Sequence, residues 1–246
     1  MPFALNTTPS PLTIQPLFPV ALGKVQLRPD PLDLALQLQA LYELRGEASS
    51  NPDPDCAWTG DLNGVWRLHE HATFAPLIRE LTNHAQRYLS QLGFNLDQVA
   101  LHVQRCWPVL SEPGQVVGRH HHPNAHLSAV YYFNGDGSGR SGCLRFFPNT
   151  QPNELVPGLA VGHGGPIRKP DPWNQPWVDV APQAGLLLLF PSRLGHAVLP
   201  NDDPDDVRCS LSIDFALSAP LCTEAGATPP EYLAPHPSQW SPTAGL

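Results

Sequence analysis

The chain has 246 residues and a formal charge of −8, with an isoelectric point near 5.7. That length allows one large domain with a sizeable core or two small ones, and the acidic balance argues against binding nucleic acid through a basic surface, which needs clustered Lys and Arg. Thirty prolines and nineteen glycines favour a β-rich fold of short elements over a helical bundle.

In chain order, residues 1–11 read as a polar lead-in. Residues 12–27 alternate around Pro16 and Pro19, which predicts one or two broken strands. Asp30-Pro31 is a helix start, an acidic cap with proline in the first turn, and a helix is expected over 32–45. Leu32, Leu34, Leu36 and Leu38 also alternate, so periodicity alone leaves a strand open there. Residues 46–63 are turn-rich, with a loop at 49–55. The clearest helix is 73–92: Phe74, Leu77, Ile78, Leu81, Ala85, Tyr88, Leu89 and Leu92 repeat at helical spacing, and Gly93 follows as a C-cap. His69 and His71 stand just before it. At a helix entry they diverge by about 200°, so they are read as polar surface.

From residue 99 the pattern changes to strands: 99–110, 115–122, 127–134, 142–147, 177–180, 186–190, 196–199 and 207–217. About eight short strands after a helical N-terminal part predict a double-sheet jelly roll, mainly β, with helices on one outer face. Such barrels hold ligands in an open mouth. The glycine- and proline-rich stretch 158–174 is a candidate substrate lid. Residues 219–246, with six prolines, are expected to be a mobile tail or one laid over the surface. The domain is placed at 1–218, with its β-rich core at about 99–218. Cys56, Cys106, Cys143, Cys209 and Cys222 are odd in number and lack a Cys-x-x-Cys, so no disulfide framework is expected. Cys143 and Cys209 fall in strand-like runs and are read as buried thiols. No signal-peptide pattern opens the chain, and 186–190 is too short to cross a bilayer. A cytoplasmic protein with no membrane partner is the expectation.

The chemistry concentrates in two blocks. In residues 118–134, His120, His121, His122 and His126 are followed at once by a β-type run. Residues two apart in a strand share a face, so His120 and His122 point together and His121 points away. Two adjacent imidazoles suit a divalent transition metal, although a histidine-rich run by itself is equally compatible with a solvated loop. The candidate third ligand is His196, after the apolar run 186–190. Then Arg208, Ser210, Ser212 and Asp214 share one face of a strand whose other face is Cys209, Leu211, Ile213 and Phe215. An arginine there can clamp a carboxylate with two parallel hydrogen bonds, and Ser210 can add another. An open metal site beside a carboxylate clamp describes an oxygenase with a keto-acid cosubstrate.

On these residues the chain resembles the Fe(II)- and 2-oxoglutarate-dependent dioxygenases. His120-His121-His122 stands where that family has His-x-Asp/Glu. The runs 128–134 and 141–148 are similar to the strand pair after the metal motif in its prolyl-hydroxylase branch. Residues 185–191 with His196 and Arg208-Cys209-Ser210 resemble the distal-histidine block with its Arg-x-Ser motif. Leu17-Phe18-Pro19, the Trp107 region and His-x-His-Pro are similar to a bacterial and phage group of the same superfamily, and the likeness covers about 12–218. It implies a double-stranded β-helix, with His120 and His196 as iron ligands. It also implies that Arg208 and Ser210 hold the 5-carboxylate of 2-oxoglutarate, joined by Tyr132, and that O2 is a further cosubstrate. The departure is His122 in place of the carboxylate, which leaves the metal site one unit more positive; Asn124 or a water is the alternative third ligand. His121 and His126 are expected to be structural.

Three functions follow from different classes. The first is an oxygenase that couples 2-oxoglutarate decarboxylation to hydroxylation or related oxidation of a C–H bond in a small molecule or peptide. The second is a three-histidine metalloenzyme that needs no 2-oxoglutarate, against which Arg208 and Ser210 count. The third is a non-catalytic metal- or keto-acid-binding module on the same scaffold.

Overall fold

The computed structural model describes residues 12–48, 53–150, 153, 155, 171–222, 232–241 and 243. In chain order its main elements are β1 (Gly23–Gln26), α1 (Pro31–Glu47), β2 (Trp58–Thr59), α2 (Ala75–Gln91), β3 (Ala100–Ser111), β4 (Val117–His120) and β5 (Leu127–Tyr132). β6 (Leu144–Phe146), β7 (Val178–Val180), β8 (Leu186–Pro191), β9 (His196–Val198) and β10 (Arg208–Ser218) follow. Short 3₁₀ turns lie at Gly60–Asn63, Leu68–Glu70 and Pro237–Gln239. The strands form two antiparallel sheets, a major one ordered β1-β8-β5-β10-β3-β2 and a minor one ordered β4-β9-β6-β7. This is the expected mainly-β double-stranded β-helix with flanking helices.

Each helix forms for the reason its sequence suggests. The Asp30 carboxylate accepts from the N–H groups of Leu32 (2.8 Å) and Asp33 (3.2 Å), satisfying two orphan donors of α1. The leucine alternation resolves as helix: Leu34, Leu38, Leu41 and Leu44 face the core while Leu32 and Leu36 are exposed. α2 turns Leu77, Ile78, Leu81, Ala85, Tyr88 and Leu89 inward and ends at Gly93, whose φ of +89° suits a residue without a Cβ. Both helices cover the outer face of the major sheet. The layer between them holds Leu127, Ala129, Tyr131, Leu187, Leu189, Cys209, Leu211, Ile213 and Phe215. A second apolar cluster, including Tyr132, Leu144, Phe146, Leu188 and Phe190, sits on the other side of that sheet against the minor one.

β3 has a bulge that the sequence conceals. Opposite Asp214 and Phe215 of β10 stand Arg105 and Val103, so Gln104 is the extra residue. Before it, Leu101 and Val103 pack into the helix layer; after it, Arg105, Trp107 and Val109 line the cavity between the sheets. Unbroken alternation would send Arg105 into the apolar layer. The bulge reverses the faces.

Several expectations need correction. Of residues 12–27 only Gly23–Gln26 is a strand: Pro16 and Pro19 lack the N–H that a ladder needs, and 12–20 is exposed. Cys143 stands one residue before β6 and is only half-buried, whereas Cys209 is fully buried in β10. β4 ends at His120, so His122 lies in the loop beyond it, tied to the barrel by its N–H donating to Ser192 O (2.9 Å). Residues 1–11, 49–52 and, apart from its last four residues, the candidate lid at 158–174 lie outside the described residues. The described part of the tail returns to the barrel: Ala219 N–H donates to Ala234 O (2.8 Å), and His236 packs on His102 at 4.8 Å between ring centroids. Among the described residues no helix is long and apolar enough to cross a membrane.

Candidate metal centre and anion pocket

The site is a cavity of about 500 Å³ between the two sheets, within the ~300–1,000 Å³ range of small-molecule sites. β3, β5, β8 and β10 supply one wall and β4, β6 and β9 the other. Its apolar surface includes Trp107, Val109, Val130, Leu144, Phe190 and Val198.

His120 and His196 are direct cross-strand partners on β4 and β9, and such neighbours have Cβ atoms about 4.5–5.5 Å apart. His122 joins them from the loop after β4. One ring nitrogen from each lies within 4.8 Å of the others. The backbone sets the tautomers. His120 Nδ1 is 2.7 Å from Gly118 O and His196 Nδ1 is 2.8 Å from Leu194 O. A carbonyl only accepts, so both Nδ1 atoms carry the proton and both Nε2 atoms keep their lone pairs. His122 Nδ1 lies 2.6 Å from a carboxylate oxygen of Asp214, with the same consequence. Three imidazoles whose Nδ1 atoms are already bonded present their Nε2 atoms as the ligating positions. Burial pushes the His196 ring down to about 3, helped by the neighbouring His120. Burial also lowers His120, more than its bond to Gly118 O raises it.

Asp214 has no exposed surface. Burial pushes its carboxyl up, but hydrogen bonds from His122, Ser128 (2.8 Å) and Arg105 (2.6 Å) together hold it below the ordinary carboxylate value. Arg105 also reaches Asp61 (3.3 Å) and stacks over the Trp107 ring (4.8 Å). Sequence patterning placed Asp214 on the polar face of β10 but gave no signal that it would meet His122, 92 positions away.

Deeper in the cavity Arg208 is 1 % exposed, and no carboxylate pairs with it among the described residues. Its Nη1 donates to Ser141 O and Gly142 O (3.0 Å each) and its Nη2 donates to Ser111 Oγ. A guanidinium has five donors, so two remain for a ligand. Burial lowers its pKa. Ser210 and Tyr132 line the same cavity as cross-strand partners; the Ser210 hydroxyl bonds Val109 O weakly (3.4 Å). Burial pushes the Tyr132 phenol up to about 12, with Arg208 opposing, so it stays a neutral donor. Tyr131 faces the helix layer. Gly142, not singled out by the sequence, seats the guanidinium: a Cβ there would lie 2.7 Å from Arg208 Nη1 and 2.3 Å from Leu199 O, at a φ of +86°.

The other described histidines do not line the cavity. His121 is exposed. His126 Nδ1 accepts from Leu217 N–H (3.1 Å) and pins the strand end. His71 Nδ1 accepts from Thr73 N–H (3.3 Å) at the entry to α2. Asn124 is exposed and does not line the cavity.

Residues 105–214 match a family model described as "Putative 2OG-Fe(II) oxygenase". Comparison with curated proteins finds no match. Among solved structures, the chain is similar to the non-heme alpha ketoglutarate dependent epimerase SnoN from nogalamycin biosynthesis. That match has 18 % identity and a TM-score of 0.57, covering 88 % of this chain and 91 % of that one. It is also similar to a prolyl-4-hydroxylase of Pseudomonas putida (21 %, TM-score 0.52, 80 % and 92 % covered) and to the carbocyclase SnoK (14 %, TM-score 0.56, 88 % and 89 % covered). The family model ends at Asp214 and takes in both metal-side blocks and the arginine strand, so over these residues the chain is similar to the 2OG-Fe(II) oxygenases.

Proposed function

We propose that this protein is an Fe(II)- and 2-oxoglutarate-dependent oxygenase acting on a small-molecule or peptide substrate. His120, His122 and His196 hold the metal. Arg208, with Tyr132 and Ser210, receives the far carboxylate of 2-oxoglutarate. The observation that carries this reading is a single cavity containing both three convergent imidazoles and a buried arginine with no carboxylate partner among the described residues. An uncompensated buried cation is costly, and a dicarboxylate reaching from the metal to Arg208 removes that cost.

Iron, 2-oxoglutarate and O2 together supply an oxidant for a C–H bond, with the keto acid decarboxylated to succinate. The protein's part is positioning. Its Nδ1 bonds fix the three rings, Gly142 and Ser111 fix the guanidinium, and Trp107, Val130, Leu144 and Phe190 keep the cavity apolar. SnoN has been solved with Fe3+, alpha ketoglutarate and nogalamycin RO. Epimerase, carbocyclase and hydroxylase all appear on this fold, so hydroxylation is the simplest outcome proposed here, with the bound substrate deciding among them.

The test is succinate formation from 2-oxoglutarate with Fe(II), O2 and a panel of candidate substrates. Substrate-stimulated succinate supports the proposal. Oxidation without 2-oxoglutarate favours a three-histidine enzyme of another type, and metal and keto-acid binding without turnover favours a binding module.

A further inference from the structure

We propose that Asp214 supplies, through His122, the negative charge that a carboxylate ligand provides in the His-x-Asp/Glu pattern, so that the two residues act together as one anionic ligand. The inference rests on reading His120, His122 and His196 as the metal-binding set. It adds a positioning residue that does not itself touch the metal.

The three histidines are not equivalent. His120 and His196 donate to neutral carbonyls of Gly118 and Leu194, whereas His122 alone donates to a carboxylate, at 2.6 Å. The carboxylate is wholly buried and is held on both oxygens: Oδ1 by His122 and Ser128, Oδ2 by Arg105. Arg105 does not cancel it, because the same guanidinium also faces Asp61 at 3.3 Å. Two carboxylates against one guanidinium leave the Asp61–Arg105–Asp214 group with one net negative charge, and Asp214 is its end at His122. Donation to a carboxylate makes an imidazole a more basic ligand and fixes its ring plane. The register places the pair: Asp214 is opposite Ser128 on β5, and the β3 bulge brings Arg105 opposite Asp214 on the cavity side. A pair serving packing alone would not require its acceptor to meet the Nδ1–H of a ring aimed at two other histidines.

The experiment is a double-mutant cycle on the full chain, measuring Mn(II) affinity by calorimetry for the parent, Asp214→Asn, His122→Asp and the double variant. In the parent background Asp214→Asn should weaken Mn(II) binding by ~10–100-fold, the usual loss for a partner of a metal-bound histidine. In the His122→Asp background the same change should cause no loss, because the ring it acted through is gone and two close carboxylates are relieved. Co(II) bound at saturation should show shifted visible bands in Asp214→Asn, a change that a merely structural residue would not produce. Equal losses in both backgrounds, or parent-like affinity in Asp214→Asn, would overturn the proposal. Should Asp214→Asn fail to fold, Asp61→Asn tests the charge from the half-exposed rim: it frees Arg105 to neutralise Asp214 and should weaken Mn(II) severalfold, and unchanged affinity overturns the proposal. His120→Ala and His196→Ala separate the two levels. If these bind Mn(II) like the parent, the metal-site reading itself fails; if they lose it while Asp214→Asn does not, only the role of Asp214 fails.

Discussion

Arg208 carries more consequences than any other side chain. It is buried among carbonyls and a hydroxyl that polarise toward it but leave its charge unmatched. Arg208→Ala is expected to weaken 2-oxoglutarate binding by about 2–5 kcal/mol, the range for removing one partner of a buried charged pair. Lysine at 208 should recover only part, since an ammonium cannot make the planar fork. Calorimetry with Mn(II) in place of iron reads both, and unchanged keto-acid affinity in the alanine variant would refute the clamp. His122 is the other informative side chain. Its replacement by aspartate restores the usual triad on paper. The fold sets a carboxylate, Asp214, 2.6 Å from the ring it would replace, so the swap is expected to perform best when Asp214 is neutralised as well.

The strands place these groups by register, and the turns between them are under equal constraint. Gly142 closes the turn before β6 at a φ of +86°, with Leu199 O and the Arg208 guanidinium packed where a Cβ would be. A left-handed backbone costs a non-glycine residue about 1–2 kcal/mol before any clash. Gly142→Ala is therefore expected to lower the thermal midpoint and weaken 2-oxoglutarate binding at least ~10-fold, the equivalent of ~1.4 kcal/mol, while Mn(II) affinity changes little. Loss of metal and keto acid in equal measure would show that the turn supports the whole barrel rather than the arginine. The β3 bulge at Gln104 belongs with this turn: one extra residue decides that Arg105 and Trp107 meet the cavity instead of the helices.

Across the molecule, His196 and Asp214 link stability to pH in the same direction. His196 is held down to about 3 from the ordinary 6.5 by burial and its neighbour His120. An unfolded chain takes up this proton near 6.5 while the folded one resists it, so stability falls as pH drops below about 6.5 and continues to fall toward about 3. Asp214, held below the ordinary carboxylate value of 3.8, acts with the same sign: its contribution is full above that value and is lost as pH falls through its folded pKa. The metal-free protein should therefore show a lower urea midpoint at pH 5 than at pH 7.5. His196→Leu should flatten that difference, and a pH-independent midpoint would contradict the burial of these rings.

Local periodicity and residue chemistry were sufficient for most of the elements and for much of the cavity. The spacing of Phe74 to Leu89 specifies a helix, the alternation of Arg208 to Phe215 specifies a two-faced strand, and the types and order of His120, His122, His196, Arg208 and Ser210 point to a metal beside an anion clamp, to which the family resemblance adds Tyr132. These signals survive in sequence because side-chain direction follows the backbone period. Tertiary structure decided what periodicity cannot encode: the phase shift at Gln104, the seat that Gly142 gives Arg208, and the meeting of His122 with Asp214. Each depends on two strands far apart in the chain being brought into one register, and a single strand's pattern does not state which residue will stand opposite it.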